Sequence, residues 1–241
     1  MKALILAAGF GTRLQSIYHD TPKQLISVAG KFIIDYILDN LNNVKEIDEI
    51  YIGVNNLYYS KFEAWLKTKN NPKLKLLNNG VNSNEGRLGS VGDIHFIVQQ
   101  ANIADDLMVL GGDNILGFQL TELVSTFNKT RQPIVAAYDV NDKEQAKKYG
   151  VLEVEGSRIT EFIEKPKEPK STLSSTLVYL FPKETVPLIK QYMDAGLPPD
   201  RSGYYIAWLL TQTTVNAFIF EGTWFDIGSP DQLKEAEEKL K

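Results

Sequence analysis

The residues with the clearest chemistry stand in a glycine-rich segment near the start of the chain, LAAGFGTRL, over residues 6–14. A glycine loop after a buried strand can present backbone N–H groups to a phosphate. Arg13 closes this loop, and Lys23 follows ten residues later in TPKQL. Arginine can hold two phosphate oxygens at once, and lysine adds a compact positive charge. The combination favours a site for a nucleoside triphosphate.

Two well-known phosphate loops do not match this segment. The dinucleotide fingerprint requires a third glycine three residues after the second, and Leu14 stands there. A P-loop requires Gly-Lys-Ser or Gly-Lys-Thr, which does not follow the glycines. Two interpretations of this segment therefore remain: a phosphate-binding loop of another kind, or a plain turn between a strand and a helix.

Other candidate residues are acidic or form charged pairs. Asp113 ends a buried strand in LGGDN, at the carboxyl edge where open α/β sheets bind ligands. The alternative is that this aspartate has a purely structural role, as a turn former or a helix cap. Glu164 and Lys165 stand together in EKP, a pair that on an edge strand is usually solvated. His19 and His95 are too few and too far apart in sequence for a histidine metal cluster.

Strands and helices alternate over roughly the first 140 residues. Apolar runs predict strands at residues 3–7, 49–55, 73–77 and 106–113, and helical patterns cover residues 32–41, 58–68 and 90–101. The later part changes: a hairpin turns around residues 155–156, strands cover 176–181 and 215–222, and helices lie near 184–195 and at the end. The pattern predicts an α/β fold with a mixed, mostly parallel sheet flanked by helices and antiparallel additions in the second half.

Composition narrows the class of protein. The 241 residues are 43% apolar and 23% charged and carry a net charge of −4, which suits one sizeable domain and disfavours a nucleic-acid or membrane-surface binder. The sequence has no cysteine, so it has no disulfide, thiolate metal site or cysteine nucleophile. Its apolar start is shorter than a signal-peptide core. A cytoplasmic protein is expected.

The segment LAAGFGTRL followed by TPKQLISVAGKFIIDYILDNL resembles the signature of the sugar-1-phosphate nucleotidylyltransferases. Four further segments continue the resemblance in order: LGGDN, YGVLEVEGSRITEFIEKP, STLVYLF and GTWFDIGSPDQL. The resemblance implies a Rossmann-like nucleotidyltransferase fold and an enzyme of the EC 2.7.7 type, which joins an NTP to a sugar 1-phosphate and releases pyrophosphate. It also implies one domain over residues 1–241, with a nucleotide-binding half (1–140) and a sugar-phosphate-binding half (141–241).

The resemblance assigns a role to each matching residue. Arg13 and Lys23 would be catalytic, and Asp113 and Asp226 would bind Mg²⁺, a hard cation suited to carboxylates and phosphates. The residues implied for the nucleotide are Leu6, Ala8, Gly9, Gly11, Thr12, Asn84 and Gly89. The residues implied for the sugar phosphate are Gly150, Glu164, Lys165 and Ser175.

Two positions depart from the family pattern. Asn84 stands where a glutamine or similar residue usually reads the base, and Leu177 stands where a glycine usually lies beside the sugar. UTP or dTTP with glucose 1-phosphate is the favoured substrate pair. Another phosphomonoester, such as phosphocholine or inositol phosphate, is the alternative acceptor, and a non-catalytic regulatory homologue is the alternative class. The sequence stops after one catalytic unit, which suggests a single activity, and leaves a homo-oligomer open.

Overall fold

A mixed sheet of nine strands forms the centre of the fold in a computed structural model that describes residues 1–14 and 17–241. The strands are β1 (Lys2–Leu6), β2 (Ser27–Val28), β3 (Lys31–Phe32), β4 (Glu49–Val54), β5 (Leu74–Asn78), β6 (Leu107–Gly111), β7 (Asn114–Leu116), β8 (Ile134–Asp139), β9 (Gly150–Glu155), β10 (Arg158–Glu164), β11 (Leu173–Phe181), β12 (Asn216–Ile219) and β13 (Trp224–Asp226). The helices are α1 (Ile33–Asn42), α2 (Tyr59–Leu66), α3 (Ser90–Gln100), α4 (Leu120–Thr130), α5 (Lys143–Ala146), α6 (Pro187–Asp194), α7 (Ser202–Leu209) and α8 (Pro230–Leu240).

The order of strands in the large sheet is β5-β4-β1-β6-β11-β8-β12-β10-β9. Strands β5, β4, β1 and β6 run parallel, as do β8 and β12. Strand β11 runs antiparallel between β6 and β8, and β10 is antiparallel to both β12 and β9. The mixed sheet and the antiparallel additions are confirmed. Seven of the nine strands run in one direction, and only β11, in the middle of the sheet, and β10 run in the reverse direction.

Helices cover both faces of this sheet, and successive residues of a strand therefore pack into different cores. In β1, Ala3 and Ile5 belong to one buried cluster and Leu4 belongs to the other. The middle residues of β1 and all of β6 are buried, which explains their continuous apolar sequence. Helix α1 buries Ile34, Ile37 and Leu41 at helical spacing against the first core.

The sheet is continuous across the two predicted halves, since β12 pairs with β8 and β11 pairs with β6. The assignment of these halves to nucleotide and sugar phosphate stays a prediction. Over residues 1–14 and 17–241, no helix is both long enough and apolar enough to cross a bilayer.

Candidate active site

Two adjoining cavities lie at the carboxyl ends of β1 and β6. The N-terminal cavity is lined by Leu6, Ala8, Gly9, Phe10, Lys23, Gln24, Asn84, Arg87, Gly89, Ser90, Asp93, Gly111, Asp113, Leu177 and Asp200. The C-terminal cavity is lined by Ser90, Asp113, Asn114, Lys148, Tyr149, Gly150, Glu164, Lys165, Ser175, Thr176, Leu177, Tyr179, Asp200, Arg201, Ser202, Trp224 and Asp226. Four residues line both cavities, so the two spaces meet at Ser90, Asp113, Leu177 and Asp200.

The two aspartates that the sequence predicted as metal ligands lie close to each other, Asp113 where the cavities meet and Asp226 in the C-terminal cavity. Strand β13 pairs antiparallel with β7, which places Asp226 opposite Asn114 in the register. The Ile227 N–H donates to the carbonyl of Asp113 at 2.9 Å. Burial, and then the charge of Asp113, raise the pKa of Asp226 above its ordinary value. Carboxylate oxygens are the donors that Mg²⁺ prefers together with phosphate and water, and these two carboxylates lie near enough to interact electrostatically.

Close backbone approach explains the two glycines before Asp113. A Cβ atom at Gly112 would lie 2.6 Å from the carbonyl oxygen of Leu6, and the Gly112 N–H donates to that oxygen at 2.9 Å. A Cβ atom at Gly111 would lie 3.0 Å from Asp113 Oδ1. The glycines therefore let the end of β6 turn tightly against the end of β1, which brings Asp113 to the glycine-rich loop.

Lys23 forms an ion pair with Asp113 through its ammonium group. Both side chains are largely buried, at 17% and 20% exposure, so the pair is less screened than a surface ion pair. Lys23 begins a short 3-10 turn after Pro22. This contact joins a cation of the first motif to a carboxylate some ninety residues later.

The glycine-rich loop is fixed by a buried asparagine that the sequence analysis did not single out. Asn55 donates from Nδ2 to the carbonyl of Ala8 at 2.9 Å and accepts from the Tyr58 N–H at 3.0 Å. Leu6, Ala8 and Gly9 line the N-terminal cavity as predicted.

The end of the glycine-rich loop, unlike its beginning, does not line either of the two cavities. Gly11, Thr12 and Arg13 do not line either cavity among the described residues, and Thr12 and Arg13 are exposed. The guanidinium of Arg13 lies against Gly228, just beyond Asp226, because a Cβ atom at Gly228 would lie 2.7 Å from its Nη2. Its positive charge opposes the raised pKa of Asp226. Arg13 thus stands at the rim, beside Gly228 and near Asp226.

Asn84 and Gly89 both line the N-terminal cavity, on the segment between β5 and α3. Gly89 has φ +81°, and a Cβ atom there would overlap the carbonyl oxygen of Pro199. A glycine is required because the backbone is left-handed and closely packed. Asp93, one turn into α3, lines the same cavity and has no predicted role.

The predicted sugar-phosphate residues gather in the C-terminal cavity. Glu164 ends β10, and burial raises the pKa of its carboxyl group, opposed by the charges of Lys165 and Arg201. A Cβ atom at Gly203 would overlap Glu164 Oε2, and one at Gly150 would lie 3.1 Å from it. The two glycines therefore leave room for the Glu164 carboxylate.

A hydrogen-bonded chain of hydroxyl groups supports the floor of this cavity. The hydroxyl of Tyr179 lies 3.3 Å from Ser175 Oγ and 3.0 Å from Ser202 Oγ. The pairing of β11 with β8 is irregular between Ser175 and Tyr179, and Leu177 within this bulge has φ +56°. A leucine in this conformation is strained, by roughly 1–2 kcal/mol. Leu177 occupies a backbone position that suits glycine, and it lines both cavities.

Several lining residues had no predicted role, and three of them, Tyr149, Trp224 and Asn114, stand inside the quoted motifs. Tyr149 packs on Trp224 with ring centroids 4.7 Å apart, and Trp224 donates from Nε1 to Asn114 Oδ1 at 2.7 Å. Asn114 in turn donates to Asp113 Oδ1 at 3.4 Å. Arg201 and Ser202 stand in the PDRSG segment, whose proline and glycine were the available signal. Of residues 1–14 and 17–241, no group of three or more His, Cys, Asp or Glu side chains could enclose a metal ion.

This fold brings two adjoining cavities together at Asp113, with Lys23 in one and Asp226 in the other, an arrangement typical of enzymes that transfer phosphorylated groups. The chain is a member of the Nucleotidyl transferase family, which matches residues 2–241. The resemblance drawn from the motifs is confirmed.

Two of the similar proteins are named as nucleotidyltransferases acting on sugar 1-phosphates. A protein of Sulfolobus acidocaldarius assigned as a mannose-1-phosphate guanyltransferase is 32% identical over 232 residues, which are 95% of this chain and 60% of that protein. The UTP–glucose-1-phosphate uridylyltransferase AglF of Haloferax volcanii is 29% identical over 265 residues, covering 100% of this chain and 97% of that protein. The bifunctional protein GlmU of Methanocaldococcus jannaschii is 29% identical, and the chain spans 54% of its length.

A solved structure shares the fold. It is assigned as a glucose-1-phosphate thymidylyltransferase from Bacillus anthracis in complex with a sucrose, with a TM-score of 0.83 and 24% identity. The match covers 99% of this chain and 94% of that chain. The α/β nucleotidyltransferase fold is therefore confirmed.

Proposed function

We propose that this chain transfers a nucleotidyl group from a nucleoside triphosphate to a sugar 1-phosphate, giving an NDP-sugar and pyrophosphate. The observation that carries the proposal is that two cavities adjoin at Asp113, which pairs with Lys23 of the N-terminal cavity and interacts electrostatically with Asp226 of the C-terminal cavity. One cavity begins at a glycine-rich loop, and the other is lined by Glu164 and Lys165. A reaction between two phosphorylated substrates needs two such spaces with charge-compensating groups between them.

The reaction itself requires little proton chemistry. The phosphate of a sugar 1-phosphate has a second pKa near 6 and is largely dianionic at neutral pH, so its oxygen attacks without a general base. A new bond forms between this oxygen and the α-phosphorus, while the bond from the α-phosphorus to the bridging oxygen of pyrophosphate breaks. The enzyme must overcome repulsion between two anions and align them.

The charged residues at the junction fit this task. Lys23 would lie between the phosphates of the two substrates, and Arg13, at the rim beside Gly228, would hold the departing pyrophosphate. Asp113 and Asp226 would hold Mg²⁺, as the donor set and the raised pKa of Asp226 support. When bound, the ion neutralises phosphate oxygens and withdraws charge from the reacting phosphorus.

The acceptor side is supported by a buried carboxylate and a lysine. Glu164 would accept hydrogen bonds from sugar hydroxyl groups, with Gly150 and Ser175 beside it, and Lys165 would contact the sugar phosphate. A second candidate acceptor is another phosphomonoester, such as phosphocholine or inositol phosphate. The observation that favours it is Leu177, whose side chain lies between the two cavities.

The finer properties stay predictions. The names of the relatives differ in the base, so they do not select one, and the preference for UTP or dTTP expected from the sequence has no support from the cavity. The cytoplasmic location, the homo-oligomer, and the absence of nucleic-acid and membrane partners likewise stay predictions.

Pyrophosphate release tests the proposal. The four ribonucleoside triphosphates and dTTP are each combined with glucose 1-phosphate, mannose 1-phosphate, phosphocholine and inositol phosphate, with Mg²⁺ and with EDTA. We expect release with a sugar 1-phosphate and its loss with EDTA. Release only with phosphocholine or inositol phosphate would replace the acceptor. No release with any pair, from protein that still binds NTP, would favour the regulatory homologue.

A further inference from the structure

The N-terminal cavity contains a carboxylate that the proposed reaction does not use. Asp93 lies in the first turn of α3 and lines this cavity together with Asn84 and Gly89. Side chains of an α-helix tilt toward its N-terminus, so Asp93 is directed toward Gly89 and the segment that follows β5.

A second residue fixes the Asp93 carboxylate. Asn79 donates from Nδ2 to Asp93 Oδ1 at 2.8 Å. The orientation of the Asn79 amide is set because its Oδ1 accepts the Val81 N–H at 2.9 Å. Among residues 1–14 and 17–241 no donor reaches Asp93 Oδ2, which leaves this oxygen as an acceptor at the cavity wall.

The hydrogen bond from Asn79 places Asp93, on α3, at the β5 side of the cavity. Asn79 follows β5, whereas Asp113 follows β6, and these strands are separated by β4 and β1. Three strand spacings are about 14 Å. Phosphates held at Lys23 and Asp113 would therefore leave the base, at the far end of the nucleotide, to face Asp93.

The chemistry of a carboxylate restricts which base can face it. Burial raises the pKa of Asp93 to about 6, so the group is mostly ionised above pH 7 and can only accept hydrogen bonds. Guanine presents two adjacent donors, N1–H and the N2 amino group. Uracil and thymine present one N–H between two carbonyl oxygens, which a carboxylate repels. Adenine and cytosine place an unprotonated ring nitrogen beside their amino group.

We propose that Asp93, held by Asn79, reads the base and selects guanine, so that the nucleotide substrate is GTP. This inference rests on the proposed function, because it assumes that the N-terminal cavity holds the nucleotide. Asn84 lines the same cavity and can donate from its side-chain amide to the guanine carbonyl oxygen. GTP then takes the place of UTP or dTTP, the nucleotides expected from the sequence.

Nucleotide binding and turnover test this inference separately. Dissociation constants of Mg·GTP, Mg·UTP and Mg·dTTP are measured by calorimetry for the wild type, Asp93→Asn and the control Glu122→Gln. Glu122 is an exposed carboxylate in the first turn of α4, outside both cavities. We expect the wild type to bind GTP about 10- to 100-fold more tightly than UTP, Asp93→Asn to lose this factor for GTP, and Glu122→Gln to change nothing.

The outcomes distinguish the two proposals. GTP bound no more tightly than UTP and dTTP, or a GTP preference that survives in Asp93→Asn, would overturn the base assignment. Selective GTP binding without pyrophosphate release for any acceptor would contradict the transfer reaction and support the base assignment. Pyrophosphate release from UTP in preference to GTP would support the transfer reaction and contradict the base assignment. If Asp93→Asn fails to fold, Asn79→Ala, which leaves the carboxylate unfixed, should lower the GTP-to-UTP ratio in the same assays.

Discussion

Replacing Asp93 with asparagine should stabilise the ligand-free protein at neutral pH. The carboxylate sits in a largely dry position at the cavity wall, where ionisation is opposed by burial and only partly favoured by the Asn79 amide. Asparagine has almost the same shape and keeps an oxygen that can accept the hydrogen bond from Asn79 Nδ2. The substitution therefore removes a buried charge without leaving a cavity, keeps the Asn79 donor paired, and places the new amide nitrogen at the cavity wall, where water can accept from it.

The pKa of Asp93 gives the size of the effect. The difference between about 6 and the ordinary value of 3.8 corresponds to roughly 3 kcal/mol at neutral pH. The N-terminus of α3 favours the ionised form by up to about 1 kcal/mol, and partial contact with water reduces the cost further. We expect Asp93→Asn to gain about 1–2 kcal/mol, which for a chain of this length raises the Tm by about 2–8 °C.

The pH dependence identifies the cause of this gain. Because the folded pKa lies above the unfolded one, the folded state binds more protons between about pH 4 and pH 6. The wild type therefore loses stability as the pH rises through this range and loses no more above it. The variant has no such titration, so its advantage should be smallest near pH 4 and complete by about pH 7.

Urea unfolding of the ligand-free wild type, Asp93→Asn and Glu122→Gln at pH 4, 5, 6 and 7 measures this difference. Contributions from other groups cancel between wild type and variant. A constant difference over the whole pH range, or a variant less stable than the wild type at pH 7, would refute the buried-charge reasoning. A similar gain in Glu122→Gln would show that any acidic residue in a first helical turn has the same effect.

Three further substitutions test the junction and the acceptor side. Asp113→Asn should lower turnover by about 100-fold or more with an unchanged unfolding midpoint; more than a tenth of wild-type pyrophosphate release would remove Asp113 from the metal site. Leu177→Gly should admit bulkier acceptors, because it removes the side chain and suits the φ of +56°; an unchanged acceptor panel would show that Leu177 does not limit the space. Gly203→Ala should displace the Glu164 carboxylate and raise the KM for the sugar phosphate about 10- to 100-fold, with little change in the KM for NTP; an equal effect on both substrates would point to general damage.

The parts of the site that depend on local sequence could be predicted, and those that depend on distant pairing could not. The strand and loop before Arg13 follow from a buried apolar run that ends in glycine. The approach of Asp226 to Asp113 depends on β7 and β13, which are three residues long and lie more than a hundred residues apart. No periodicity is detectable in so short a strand, so only the family pattern connected the two aspartates.

Residue type alone could not predict the backbone conformation of Leu177 or the location of Asp93 at the cavity wall. Leu177 could be identified as a departure from the family pattern, but its left-handed backbone and its place between the cavities depend on a bulge in β11. Asp93 gave no signal, because an acidic residue in the first turn of a helix is ordinarily explained by the helix dipole. Its role as a cavity residue follows from Asn79, which belongs to a different part of the sheet.

In the part of the chain that the structure describes, the carboxyl groups with raised pKa values all lie in the two cavities, and their burial lowers the stability of the ligand-free protein. Among residues 1–14 and 17–241, three carboxyl groups have a pKa raised mainly by burial, those of Asp93, Glu164 and Asp226, and each lines one of the two cavities. A buried carboxylate without a charged partner destabilises the fold, so a chance distribution would not confine such groups to the cavity walls. Each has a matching group in the proposed complex: donors of a base, hydroxyl groups of a sugar, and a divalent cation. Ligands that bind only the folded state should therefore stabilise it, and the largest rise in Tm should require nucleotide, Mg²⁺ and sugar phosphate together.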